Sequence, residues 1–196
     1  MRERAEERLV DDVATLKALA DPVRLAILKA LNQHERQPLT AKELAAELGE
    51  PQTKLYRHLK QLEKAELIEV AGTRLVSGIV ESRYRARQRD LRLAAGIFAE
   101  GSAERPEALA AVLAGLDSFR QDFERAVLSE RMDLTRPDDG APGVFRHGVF
   151  RLTPERAVEL RAELREVLTR AGADEVPAGE PAVDVKVFTL MYTERD

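Results

Sequence analysis

Thr53, Arg57, Lys60 and Lys64 share one arc when residues 52–65 are wound as a helix at about 100° per residue. Gln52 and Tyr56 flank that arc. Leu55, Leu59 and Leu62 define the opposite side, and Glu63 falls between the two. No acid stands on the cationic arc, although acids outnumber bases in the chain by 35 to 31. Side chains of this kind suit the edges of stacked bases. Gln and Arg make paired hydrogen bonds to adenine and guanine, and Thr and Tyr add hydroxyls and apolar contact. Lys54 and Lys60 are better placed for phosphates, which orient a protein on a duplex without reading its sequence. A solvated helix face is the plain alternative, and the absence of acids from this arc speaks against it.

A second basic group follows. Arg83, Arg85, Arg87 and Arg89 alternate with Ser82, Tyr84, Ala86 and Gln88, and period two puts alternate residues of a strand on one face. Arg83 and Arg85 are assigned to DNA, by backbone or minor-groove contact. Arg87 and Arg89 serve equally well as charges protecting a strand edge, or as the start of a further helix. The register leaves open which arginines share a side with Arg57.

Other chemistry finds little support. The chain has no cysteine, which excludes disulfides, thiolate metal sites and cysteine nucleophiles. Gly-x-Ser-x-Gly, His-Glu-x-x-His, phosphate-cradling glycine loops and dinucleotide fingerprints are all missing, so no enzyme is expected. His34, His58 and His147 are far apart: His34 in a polar loop, His58 on the flank of the basic helix as a phosphate or solvent contact, His147 in a strand. Neither a metal nor a cofactor is expected.

The elements that must carry these residues can be traced from the start of the chain. Leu9, Val13, Leu16 and Ala20 make a helical stripe. Asp21-Pro22 caps and opens the next helix, which runs to Leu31. Thr40 and Glu43 have capping-box spacing before a helix whose buried stripe is Ala41, Leu44, Ala45 and Leu48. Gly49 can end that helix in a left-handed conformation. A small residue at 45, glycine at 49 and an aliphatic at 55 suit two helices crossing steeply about a tight turn. Residues 67–70 then read as a strand and 71–87 as a ribbon, the wing of a winged helix.

Beyond residue 90, Leu91, Ala94, Ala95 and Phe98 read as helix. Leu109, Val112, Leu116, Phe119, Phe123 and Val127 extend an apolar stripe over about five turns. That stripe is expected to pair with residues 91–98 and with a second chain. Residues 136–143 form a loop. Residues 144–152, 153–172 and 183–192 read strand, helix and strand, with Phe145, Phe150, Phe188 and Tyr192 as core. This part is either a ligand sensor or additional dimer surface.

The 196 residues, 44% hydrophobic and 34% charged, suffice for a real core. Net charge is −4 but unevenly spread. Residues 1–90 hold 17 bases and 15 acids, and residues 91–196 hold 14 and 20. Within residues 52–89 nine bases face four acids, so a polyanion partner is expected at one face. No run is apolar enough for a membrane span and no secretory signal opens the chain, so a cytoplasmic location is expected. The expected fold is α+β, mostly α. A DNA-binding domain over residues 1–90 precedes a dimerisation or effector region over residues 91–196.

ALADPVRLAILKAL (residues 18–31), TAKELAAELGEPQTKLYRHLKQLEKAELIEV (40–70) and RLVSGIVESRYRARQR (74–89) resemble the ArsR-type winged-helix transcriptional regulators. The resemblance covers about the first ninety residues. It implies a homodimer joined through terminal helices, a second motif helix in the major groove and a wing on the backbone. It places Gln52, Thr53, Tyr56 and Arg57 at groove-facing positions and implies repression. The chain departs from the pattern in lacking cysteine ligands, in Pro51 at the helix start and in its long C-terminal half. The resulting expectation is a sequence-specific regulator of double-stranded DNA. Its site residues are Gln52, Thr53, Lys54, Tyr56, Arg57, Lys60, Arg83 and Arg85. A winged helix used for protein contacts alone is the competing reading.

Overall fold

The structure is a computed structural model that describes residues 5–34, 37–76, 78–129, 148–173 and 185–193. The chain divides into two compact units, Met1–Ala126 and Val127–Asp196.

In the first unit β1 (Ala5–Val10) is followed by α1 (Val13–Leu19) and α2 (Pro22–Gln33). β2 (Leu39–Thr40), α3 (Ala41–Leu48) and α4 (Gln52–Lys64) come next, then β3 (Ile68–Val76) and β4 (Ile79–Ala86). β5 (Gln88–Leu93) and a 3-10 turn (Ala95–Phe98) follow, and α5 (Arg105–Leu128) lies in this unit but for its last two residues. The strand order β2-β4-β3 is antiparallel throughout, and β3 and β4 form the hairpin wing. The chain is a winged helix-turn-helix followed by a helical region.

Local chemistry explains most boundaries. Asp12 and Asp21 cap α1 and α2 by accepting the backbone N–H of Thr15 (2.7 Å) and of Arg24 (3.1 Å), and Pro22 takes the first turn of α2. Thr40 and Glu43 close a capping box: Glu43 N–H donates to Thr40 Oγ1 at 3.1 Å, and Thr40 N–H to Glu43 Oε2 at 2.7 Å. That backbone bond from Thr40 holds the Glu43 carboxyl below the usual carboxylate range. Gly49 ends α3 at φ 66°. This is the left-handed region that glycine enters without a Cβ penalty. Pro51 precedes α4 without a side-chain cap, and the helix opens on its carbonyl through Lys54 N–H at 3.0 Å.

The core joins every element of the motif. Leu16, Ile27, Leu28, Leu31, Leu44, Leu55, Leu59, Leu62, Leu67 and Ile68 are all buried. Arg8 ties β1 to the far end of α4, donating to the carbonyls of Ala65 (3.1 Å) and Glu66 (2.8 Å) and to Thr15 Oγ1. Glu66 stands at φ 55°, uncommon for a residue with a Cβ, and the Arg8 bond helps hold that turn.

Three expectations are corrected. Leu9 belongs to no helix: it lies on β1, which pairs in parallel with β5, and Leu9 is opposite Arg92. Leu91 likewise lies on β5, and only residues 95–98 keep a single 3-10 turn. Leu91 and Leu93 alternate with Asp90 and Arg92, and this period of two found its partner some eighty residues away. On α5 the buried positions are Ala108, Ala111 and Ala114, not the predicted stripe. Leu109, Leu113, Leu116 and Phe123 are exposed, while Glu107 and Asp122 pair with Lys17 and Lys29.

In the second unit α6 (Pro154–Ala173) forms where a helix is predicted, with Arg156 N–H donating to Thr153 Oγ1 at 3.2 Å. Residues 148–152 and 185–192 are not strands, which corrects the strand–helix–strand reading where it can be described. Phe150 and Tyr192 are exposed rather than core, and Phe188 is half-buried. Phe145, His147 and residues 136–143 lie outside the described residues.

Candidate nucleic-acid interface

α4 carries most of the predicted site, and its burial follows its sequence. Leu55, Leu59 and Leu62 are buried, and Thr53, Lys54, Tyr56, Arg57 and Lys60 are exposed. The first turn holds no acid, so nothing there opposes the positive end of the helix dipole. Gln52 donates from Nε2 to Tyr56 Oη at 2.8 Å, one turn on. This bond holds two groove-type side chains side by side, and Tyr56 remains 51% exposed. Lys54 Nζ is paired with Glu50 at 2.9 Å, outside the helix. Among the described residues no carboxylate forms an ion pair with Arg57 or Lys60. Their charge faces water at the front of the helix.

The wing differs electrostatically. Arg83 Nη2 lies 3.2 Å from Glu43 on α3, and Arg85 Nε donates to Glu69 on β3 at 2.7 Å. Arg74 Nε meets Glu81 at 2.6 Å across the hairpin, and Arg87 lies 3.4 Å from Glu66. The excess of base over acid in residues 52–89 is therefore largely matched on the wing and left unmatched on α4. Alternation along β4 puts Tyr84 on the face opposite Arg83 and Arg85. Burial raises the pKa of the Tyr84 phenol, with Glu63 and Tyr56 of α4 near enough to add to it. This β-strand therefore flanks the Tyr56–Glu63 edge of the helix.

Arg87 sits between β4 and β5, and Arg89 lies on β5 rather than on a helix. His58 is also corrected: it is buried, and neither a phosphate nor a solvent contact. The ring follows Leu55 by three residues, about 60° from it around the helix, so angular position alone could have placed it inside. His34 is exposed, with Nε2 3.1 Å from Glu47. Among the described residues no cluster of His, Asp or Glu has the form of a metal site.

Sequence reasoning missed Arg24. Its guanidinium is buried and donates to the carbonyls of Lys17 (2.7 Å) and Ala18 and to Gln61 Oε1 of α4. A single side chain thereby ties the end of α1 to the exposed Gln61 on the flank of α4. The Asp-Pro-x-Arg segment held the signal, since an arginine three residues after an N-cap points to the start of its own helix.

This arrangement has counterparts among known proteins. Residues 19–71 match the helix-turn-helix domain. That span runs from the end of α1 through α2, the helix-turn-helix pair α3 and α4, and into β3. An uncharacterized HTH-type transcriptional regulator of Methanocaldococcus jannaschii is 42% identical over 62 residues, or 32% of this chain. The chain spans 62% of the length of that curated relative. The matched domain ends at residue 71, before α5 and α6. No helix among the described residues is long and apolar enough to cross a membrane.

Proposed function

We propose that this protein is a cytoplasmic, sequence-specific regulator of transcription that binds double-stranded DNA as a homodimer and represses by occupying a promoter. The carrying observation is the outer face of α4. Thr53, Tyr56, Arg57 and Lys60 are exposed on the second helix of a helix-turn-helix unit, and Arg57 and Lys60 pair with no described carboxylate. Arg57, Gln52 and Thr53 read base edges, and Lys54 and Lys60 fix the phosphates. The helix-turn-helix relative supports the regulator reading. The likeness of residues 18–89 to ArsR-type regulators supports assignment to that type, and repression rests on that likeness alone.

Selection of bound duplexes from a random pool, at low and moderate salt, tests the reading. An enriched sequence is expected, with affinity falling steeply as salt rises because bound phosphates release counterions. Failure to enrich any sequence refutes it.

Arg83 and Arg85 reach phosphate only by exchanging carboxylate partners, so they act as weaker, backbone-type contacts. Glu69→Gln is expected to tighten DNA binding, since it releases the Arg85 guanidinium. Fluorescence anisotropy with the selected duplex measures this, and weaker binding would remove the wing from the interface.

The dimer is assigned to the exposed stripe of α5. Leu109, Leu113, Leu116 and Phe123 recur on one side, away from the alanines that meet the core. Such a stripe suits a two-fold helix pair. Phe123→Glu is expected to shift the protein from dimer to monomer in analytical ultracentrifugation and to weaken binding to a two-half-site duplex. An unchanged sedimentation coefficient would put the interface elsewhere. A small-molecule effector, where one acts, has a route to α4 through the cleft of about 510 Å3 between β1 and the α4–β3 turn. Arg8 in its wall holds the carbonyls of Ala65 and Glu66, just past the end of that helix.

One observation favours protein contacts at the wing. Leu75 and Val80 face each other across the hairpin at 72% and 65% exposure. A duplex-binding protein whose Leu75→Ser variant binds DNA normally would leave that tip to a protein partner.

A further inference from the structure

His58 takes no part in the reading above, yet it stands one residue from Arg57. It is 2% exposed, and neither ring nitrogen has a hydrogen-bond partner among the described residues. Buried polar atoms are nearly always bonded, so an imidazole with both nitrogens unmatched requires a reason. Nδ1 lies 3.6 Å from Asp21 Oδ1, just beyond bonding distance. That oxygen already accepts the Arg24 N–H as the cap of α2. Arg24 in turn reaches Gln61, three residues beyond His58 on α4. The end of α1, the start of α2 and one flank of α4 therefore meet in one polar cluster. His58 is the member of that cluster left without a bond.

The charged groups acting on the ring are Asp21 and Arg24 from α2 and Lys54 and Arg57 from α4 itself. Burial pushes the imidazole below its ordinary value. Asp21 opposes this, and the three cations add to it. A neutral ring fits the seat as it stands. A protonated ring must close on Asp21, which disturbs the α2 cap, or turn toward water, which lifts Leu55 and Leu59 of the same helix out of the core they fill. Either movement displaces the face that carries Arg57.

We propose that His58 is a positioning residue that makes the seating of α4, and through it the affinity of the Arg57 face for DNA, respond to protonation in the mildly acidic range. The DNA part rests on the function proposed above, and the seating part does not. The direction follows from linkage. The seated state binds fewer protons than an unseated one, so seating is complete above the ordinary imidazole pKa of about 6.5 and is lost as pH falls below it.

The test is a pH series from about 7.5 to about 5.5, bracketing that ordinary pKa. It reads two signals from the full-length protein: affinity for the selected duplex, and the His58 ring and Arg57 and Gln61 amide resonances by NMR. Wild type is expected to lose affinity progressively as pH falls through this range, because the seated helix binds fewer protons. The α4 amides are expected to move with the same midpoint as the ring. His58→Leu should bind with little pH dependence, whereas His34→Ala should keep the wild-type profile. Asp21→Asn retains the cap oxygen but removes the charge, so it should shift the ring midpoint to lower pH even where His58→Leu fails to fold. An identical pH profile in His58→Leu, tighter wild-type binding in acid, or a ring that titrates without moving the α4 amides would each overturn the proposal. If no duplex binds at any pH, the regulator reading fails, and the amide shifts alone decide the seating of α4.

Discussion

Arg57→Ala is expected to weaken binding to the selected duplex by about 1–3 kcal/mol and to relax base preference at one position of the site. The reason is the isolation of this side chain. Arg57 is exposed on the face opposite Leu55 and Leu59, with no described carboxylate to exchange for a guanine edge. Its guanidinium offers a planar fork that matches two acceptors at once, which a lysine cannot do. Lys60→Ala is the matched comparison. It should weaken all sequences alike and reduce the slope of affinity against salt by roughly one ion. Binding curves for the selected site and a scrambled duplex, at three salt concentrations, separate the two effects. An Arg57→Ala protein with unchanged affinity for the selected site would show that another element reads the DNA.

Leu59→Ala should lower the stability of the first unit by about 2–5 kcal/mol, as expected for truncating a leucine in a packed core. Leu59 is 1% exposed and lies between Leu55 and Leu62 on the single face by which α4 is held. The loss combines the transfer of the missing methyl groups with the void left behind, since α2, α3 and β3 are fixed by caps and strand pairing. Urea unfolding followed by circular dichroism measures the change. DNA affinity should fall with it, because the groove-facing residues share the helix. A loss under about 1 kcal/mol would mean that α4 collapses into the space or is not seated as described.

The two effects arise at different levels of the structure. The stripe of Leu55, Leu59 and Leu62, the cap pairs Asp21–Arg24 and Thr40–Glu43, and Gly49 at the turn are legible in the chain because each depends on residues within one or two turns. The hairpin was legible for a similar reason: β3 and β4 are neighbours joined by a short turn at Gly78, so their pairing is local. β1 and β5 were not legible. A parallel pair needs a partner far along the chain, and each strand alone offered spacings that also fit a helix. Leu9 and Leu91 were misread on that account.

Charges show the same division. The arginines of the wing can be counted in the sequence, but their pairing with Glu43, Glu66, Glu69 and Glu81 depends on strand register and on where α3 begins. Periodicity and caps act over a few residues, so the order of residues 52–64 already makes α4 an amphipathic helix with a basic outer face. Folding was needed to set which charges stay unmatched on that face, to bury His58 beneath it and to leave the leucines of α5 outside. Burial and ion pairing depend on neighbours brought together by folding, and no window of the sequence contains them.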